Sequence, residues 1–445
     1  MKASLHVLML STGLFLNACA NTPYETPAAP LPASFPHAGT GTDAATDNTN
    51  WWMAFGDSTL NGLVSEVLAN NNDLAAAALR VQQAQLQAGL TRLDQFPSAS
   101  GGFGVSSSDH TTYSASLGVS YEADLWGRLA ATTRAANWET KATQQDRETA
   151  QLALIGTTCE LYWRIAYTHQ QIITGEQDLA YAQKVRDLVT IQHTAGAVSG
   201  VEVSEAELSV NTQMANLDTL QQQLVEYRAA LTVLRGGTSW PDSYERQALP
   251  DQPLPEVRAG LPAELLSRRP DLRAAELRLR ETLSDVDIAR AALYPGLNLT
   301  ASGGASSSGL GDLFSHPTGA LAASLSLPFL DFPRLNRQVK VSQKSYDIAA
   351  LNFKTTLLQA LADTDNALSN RSQLARQGDS ERASLAAARK AESLYAIRYR
   401  TGSVALRVWL DAQASLRQSQ LSYDNNRLAQ LINLATLYQA LGGGT

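Results

Sequence analysis

The chain has 445 residues, of which 44% are hydrophobic and 17% charged, with a formal net charge of −7. Mild acidity argues against nucleic-acid binding, which needs a basic face. Charge is also sparser than the ~25% of ordinary soluble domains, and Ala, Ser, Gln, Asn and Thr make up the difference.

Residues 1–18 read as an export signal. Lys2 gives the positive start and Leu5 to Leu16 the apolar run. That run is shorter than the ~20 apolar residues a membrane-crossing helix needs. It ends in Leu16-Asn17-Ala18-Cys19, which is similar to a bacterial lipobox and makes Cys19 the candidate lipidation site. An ordinary signal peptide with a chance cysteine is the alternative. Residues 19–50, rich in Pro, Ala, Thr, Asp and Asn, read as an extended or disordered tether. Beyond Cys19 only Cys159 remains, so no internal disulfide is available, and a small buried apolar side chain is its expected role.

Residues 51–237 read as a first structural unit, 238–261 as a linker and 262–445 as a second unit. The first opens helically from Leu60 to Arg92 and stops at Phe96-Pro97, where the period changes from 3.6 to 2. Strands are expected near 98–106 and 113–123. In the second, Tyr113, Ala115, Leu117, Val119 and Tyr121 alternate with Ser114, Ser116, Gly118 and Ser120. The event recurs after Tyr294-Pro295, with strands expected near 296–304 and 320–329. Leu321, Ala323, Leu325, Leu327 and Phe329 form one face of the last. Strands of this length cross an outer membrane when tilted, and their Ser, Thr, Asn and Gly face suits a wet lumen. A soluble sandwich would alternate the same way, but strand pairs set between very long helices argue against it.

Each strand pair feeds a long run, Arg128 to His193 and Arg334 to Arg400. The first is broken only by Gly156 and Gly175, and the second is expected to be interrupted near Gly378. About 65 helical residues would reach roughly 100 Å. Val203, Val210, Leu217, Leu224 and Leu231 sit seven apart, the spacing of coiled-coil packing. The remaining faces are polar but weakly charged, as either a water-filled interior or a solvated outer surface would allow.

An internal repeat organises all of this. Thr194 to Gly237 matches Arg400 to Gly443 without insertion, 206 residues apart. Gly196 answers to Gly402, Val198 to Val404, Glu205 to Asp411, and Gly236-Gly237 to Gly442-Gly443. Two repeats supply four strands, too few to close a barrel, and an open edge in lipid leaves backbone groups unpaired. Eight strands fill their own interior, so three copies sharing twelve strands are the simplest conducting arrangement.

Four stretches carry a family resemblance. They are Glu122-Ala123-Asp124-Leu125-Trp126-Gly127-Arg128, Ser267 to Glu276 with Arg269-Pro270-Asp271 at its centre, Tyr294-Pro295, and Leu410-Asp411-Ala412-Gln413 with the terminal Leu437 to Gly444. The sequence resembles the TolC-like outer membrane factors over about Trp51 to Gly443, and most of all their lipoprotein branch. The resemblance implies a mainly α chain with a transmembrane β-barrel. Long coiled-coil-like helices would form a periplasmic α-barrel, and four β-strands per chain would make a homotrimer with a twelve-stranded barrel. It implies a passive exit duct in the cell outer membrane, lipid-anchored and reaching into the periplasm, that passes drugs, toxic ions or other solutes. Such a duct is fed by an inner membrane efflux transporter through a periplasmic adaptor protein. A duct for type I protein secretion has the same fold, and a pore-less periplasmic scaffold is the remaining reading.

No enzyme motif competes. There is no phosphate-binding Gly-x-x-x-x-Gly-Lys loop, and the six histidines never pair at metal-ligand spacing, so neither cofactor nor metal is expected. Arg269-Pro270-Asp271 reads as a helix start, with Pro in the first turn and Asp at its positive end. The strands are reached from one end of the long helices, so the turns at Gly196, Val198, Gly402 and Val404 lie at the far end, as candidate adaptor contacts. Two plain helix caps are the alternative. Asp411, with Glu205 at the matching place in the first repeat, is the candidate gate acid at the periplasmic mouth, and Arg398 and Arg400 are candidate partners. A solvated surface acid is the alternative for Asp411.

Overall fold

The computed structural model describes residues 22–28, 31–37, 50–257 and 260–443. The export signal and Cys19 lie outside them. In chain order the main elements are α1 (Ser58–Asn70), α2 (Asn72–Leu93), β1 (Ser98–Ser107), β2 (Thr111–Ala123), α3 (Arg128–Thr194) and α4 (Gly200–Leu234). The second repeat gives α5 (Leu265–Arg268), α6 (Pro270–Ala291), β3 (Leu297–Ser307), β4 (Thr318–Leu325), α7 (Phe332–Arg400) and α8 (Leu406–Ala440). The helices α3 and α7 run for 67 and 69 residues. Among the described residues, no helix is long and apolar enough to cross a membrane. The chain divides into two compact units. One holds residues 77–147 and 270–358 with the N-terminal stretch to residue 30, the other residues 31–76, 148–269 and 359–445.

The first unit contains the sheet, which is antiparallel throughout in the order β1-β2-β3-β4. Register puts every large apolar side chain on one face, and only the small Ala320 and Ala322 fall on the other. Phe103 faces Ala115, Leu117 faces Gly303, Tyr121 faces Leu299, and Ala301 faces Leu321. Serine, threonine, asparagine and glycine fill most of the opposite face, as in the rungs Ser100–Gly118–Ser302 and Ser98–Ser120–Thr300. The apolar face is uncovered, with Leu321 89%, Leu117 63% and Phe103 62% exposed. Scattered exposed apolar residues are ordinary, but a continuous apolar sheet face bordered by polar loops is the surface a lipid layer covers. Glu122 is the only charged side chain in the four strands. It lies at the end of β2, where Arg128 Nη2 donates to both its oxygens at 2.6 and 2.7 Å.

The last strand is shorter than the sequence alternation suggests. It ends at Leu325, and Leu327 and Phe329 are not part of it. Pro328 has no N–H to donate to a ladder, so the backbone turns into a short 3₁₀ stretch over Pro328–Asp331. Ser326 closes the sheet instead. Its N–H donates to the Gly296 carbonyl at 2.9 Å, and its hydroxyl accepts from the Gly296 N–H at 3.0 Å.

The strand-to-helix junction explains the Glu122 to Arg128 motif. Gly127 takes φ +74°, which turns the chain out of β2. Asp124 then accepts from the N–H groups of Leu129 and Ala130 at 3.1 and 2.8 Å, satisfying two of the unpaired donors that open α3. Trp126 donates to the Pro295 carbonyl at 2.7 Å and stacks on Tyr294 at 4.8 Å, so the junction motifs of the two repeats meet. On α3 and α6, Arg278 is bound by Asp146 and Glu139. The N-terminal stretch is extended here and held by side chains. Thr22 donates to Asp287 at 2.6 Å, and the Arg280 guanidinium lies 4.2 Å over the Tyr24 ring.

In the second unit, the repeats end alike. The carbonyl of Leu234 accepts from Asn71 Nδ2 at 3.0 Å, and the carbonyl of Ala440, 206 residues on, accepts from Arg269 Nη1 at 3.3 Å. Both helices finish in the same six-residue C-cap with glycines in the left-handed region, Gly236-Gly237 and Gly442-Gly443. Arg269 therefore fastens the end of the final helix, in keeping with a structural reading of its motif. Trp51 is fully buried and stacks on Tyr438 at 5.0 Å.

The long helices are not interrupted at their glycines. The expected break near Gly378 is absent, and α7 passes through it. A Cβ at Gly378 would lie 2.7 Å from Asn426 Oδ1, and one at Gly156 would fall on the Gln439 side-chain amide. That amide donates to the Leu152 carbonyl at 3.2 Å. Glycine here costs about 1 kcal/mol of helix propensity and lets a polar side chain of the next helix lie against the backbone.

Candidate functional site: the paired helical tips

Both turns at the far ends of α3 and α7 are built the same way. Gly196 has φ +75° and Gly402 φ +71°. The Gly196 N–H donates to the His193 carbonyl at 2.9 Å and the Ala197 N–H to Gln192 at 2.8 Å; the Gly402 and Ser403 N–H groups repeat this on Tyr399 and Arg398 at 2.9 and 2.8 Å. This is the paired closure of a left-handed helix end, for which glycine is suited because it has no Cβ to strain. A following residue then opens the return helix. Ser199 caps α4 in a reciprocal box with Glu202, whereas Ala405 gives α8 no side-chain cap.

The tips lie on one apolar cluster. Val189, Ala206, Tyr399, Leu406 and Trp409 are buried in it, and Val198 and Val404 pack against it. The sequence reading missed the polar bracket on this cluster. Glu392 on α7 accepts from Trp409 Nε1 at 3.0 Å and from the Tyr181 hydroxyl at 3.3 Å, joining α3, α7 and α8. Burial, reinforced by the Glu392 charge, pushes the Tyr181 phenol above its ordinary range, so it remains a donor. Tyr399 donates to Gln192 Oε1 at 2.8 Å and stacks on Trp409 at 5.1 Å. The available signal was Glu392, Tyr395 and Tyr399 at helical spacing before the second tip, Trp409 after it and a lone Tyr181 before the first, which is a weak one.

The acids are placed differently. Asp411 is exposed, and its backbone carbonyl accepts from the Ser415 hydroxyl at 3.0 Å. Glu205 is half-buried and lies 3.9 Å from Arg407, which is itself 76% exposed. Such a pair contributes at most about 1 kcal/mol. Among the described residues, no hydrogen bond or ion pair joins Asp411 to Arg398 or Arg400, so within one chain the acids are free of those cations. Cys159 is fully buried in α3, and burial pushes its thiol well above the ordinary range, as suits an inert apolar filler. Among the described residues no group of histidine, cysteine or acidic side chains is arranged to hold a metal ion.

A four-stranded sheet with an uncovered apolar face, its strands nearly free of charge and joined to very long helices, defines an outer membrane channel rather than a catalyst. The chain belongs to the outer membrane efflux protein family, whose model matches residues 63–237 and 261–443, one stretch per repeat. It is similar to the pyoverdine export outer membrane protein OpmQ of Pseudomonas aeruginosa, 33% identical, covering 98% of this chain and 96% of that one. It is also similar to the toluene efflux pump outer membrane protein TtgC of Pseudomonas putida, 30% identical over 97% and 94% of the two chains. The structure of the outer-membrane channel OprN superposes with a TM-score of 0.84 at 24% identity, covering 96% of this chain and 99% of that one, which shows the shared fold. The chain is thus an outer membrane exit duct of the kind used by tripartite efflux pumps.

Proposed function

We propose that the duct is a homotrimer, anchored through a lipid on Cys19, that passes small toxic solutes delivered by an inner membrane transporter and a periplasmic adaptor. The observation that carries the trimer is the open sheet. β1 and β4 each have one paired neighbour, and a free edge in lipid costs several kcal/mol per unpaired group. Three copies close twelve strands and leave a lumen lined by the Ser, Thr and Asn face. The relatives named for pyoverdine and toluene support small-molecule cargo over secreted protein. The adaptor meets the tips at Gly196, Val198, Gly402 and Val404, and Asp411 with Glu205 rings the periplasmic mouth, with Arg400 beside it. Supporting this, the two tips share one cluster and both acids lie within three helical turns of it.

Purified protein in a planar bilayer tests the reading. Native chain should give discrete conductance steps with cation preference. Asp411→Ala with Glu205→Ala should enlarge the steps or remove the preference. Absence of any conductance from a monodisperse trimer would refute the duct, and unchanged selectivity in the double variant would remove both acids from the mouth. Labelled palmitate should enter the native chain and not Cys19→Ser.

A further inference from the structure

The 206-residue repeat carries a contact that the single chain leaves half made. On α3 and α8, Gln171 donates through Nε2 to Asp424 Oδ2 at 3.0 Å, and both are buried. Gln170 lies beside this carboxylate and favours its charged form, and Gln420 donates to its other oxygen at 3.0 Å. Advancing α3 by one repeat turns Gln170 and Gln171 into Arg376 and Gln377 on α7. Moving α8 back by one repeat turns Asp424 into Asp218 on α4. The same pair of side-chain types, an amide and an acid, therefore stands at the equivalent positions. The offset holds without a break along both helices, since Leu179, Lys184, Leu188 and Ile191 match Leu385, Lys390, Leu394 and Ile397. The second set is exposed: Asp218, Arg376 and Gln377 are all open to solvent, and Arg376 turns back onto its own helix to Gln373 at 2.7 Å.

One operation relates the first repeat to the second. Applied again, it takes α3 to α7 and α8 to the α4 of another copy, so a contact between α3 and α8 within one chain becomes a contact between α7 and α4 across chains. A heterologous interface of this kind closes into a ring when the rotation divides evenly. We propose that Asp218 of one copy docks between Arg376 and Gln377 of the next, reproducing between chains the buried Gln171–Asp424 contact made within each chain. The partner is a second copy of this chain, and the proposal rests on the homotrimeric reading above. Charge complementarity favours it, because Arg376 stands where Gln170 does and adds a cation to face the acid, a guanidinium–carboxylate pairing that fixes register. Asp424 is hydrogen-bonded by amides, with Arg389 held on Gln420 near enough to favour its charge. A seam between chains gains more from a charged pair that also steers association.

Cysteine pairs test this in a Cys159→Ala background. Asp218→Cys together with Gln377→Cys should give covalent dimers and trimers on mild oxidation. Gln171→Cys together with Asp424→Cys should lock within one chain and give none. As a second arm, Asp218→Arg should raise trimer dissociation in detergent about tenfold, since three seams each lose an ion pair and gain like-charge repulsion, and Arg376→Asp added to it should restore the native rate. A native chain that is trimeric and conducting, yet gives no interchain cross-link from Asp218→Cys with Gln377→Cys, would overturn the proposed contact and leave the duct standing. A native chain that is monomeric and silent in bilayers would overturn both.

Discussion

Three glycines separate backbone strain from collision, and they make a graded prediction. Gly62 lies inside α1 with nothing within 4 Å of the place a methyl would take, so Gly62→Ala should stabilise by about 1 kcal/mol through helix propensity. Gly402 has φ +71° and equally open surroundings. Gly402→Ala should cost only the left-handed strain, about 1–2 kcal/mol. Gly442 has φ +89°, and a Cβ there would lie 2.7 Å from both C and O of Arg268 and 3.1 Å from the Arg269 nitrogen. These are backbone atoms, which cannot rotate away as a side chain can. Relief requires the end of α8 to withdraw, which breaks the bond from Arg269 Nη1 to the Ala440 carbonyl. Overpacking adds about 1–3 kcal/mol to the same strain. Denaturant unfolding in detergent, followed by helical circular dichroism at one protein concentration because assembly shifts apparent stability, should rank Gly62→Ala above native, then Gly402→Ala, then Gly442→Ala. If Gly442→Ala matches Gly402→Ala within error, the close approach of the last helix to the Arg268 backbone is wrong.

Other substitutions follow from the junction and the inter-helix acids. Asp124→Ala removes the side chain that caps α3 and should destabilise by roughly 0.5–2 kcal/mol, with Asp124→Asn retaining most of it. Glu281 on α6 is pushed up to about 7 by burial first and then by Glu139 and Asp285. Its folded value lies above its unfolded one, so the folded state binds the extra proton. Stability should fall as pH rises from about 4.5 through 7, and Glu281→Gln should flatten the melting temperature across that window. A slope that survives the substitution would locate the dependence elsewhere. Cys159 should resist maleimide labelling until the chain unfolds, and rapid labelling of the native form would contradict its burial.

Period-2 and seven-residue patterns were legible because each reports a face buried against, or turned from, something continuous. Tyr113 to Tyr121 announced β2 without ambiguity. The end of β4 was not legible from hydrophobicity, since Leu327 and Phe329 keep the alternation; Pro328 settles it through a missing N–H. Gly378 read as a helix breaker because propensity sees the residue alone, while Asn426 and Gln430 from α8 supply the reason it is small. The glycine turns were legible as tips, but the bracket of Glu392 on Tyr181 and Trp409 was not, because its members are separated by up to 228 residues and carry no spacing rule. Asp424 is the sharpest case. It sits on a face that reads as solvated, and its burial depends on glutamines of a helix about 250 residues away.

The two unpaired strands of the sheet have a genetic consequence. β1 belongs to the first repeat and β4 to the second, so every seam of a three-copy barrel joins unlike edges of two chains. A chain damaged in either edge, or in the Gly296–Ser326 clasp that ends the sheet, spoils the whole ring it enters and wastes its two sound partners. When such an allele is expressed at the same level as the native one and chains mix at random, only about one ring in eight is wholly native. Export through the duct in the mixed strain should then fall toward that of the deletion, making edge alleles dominant over the wild type.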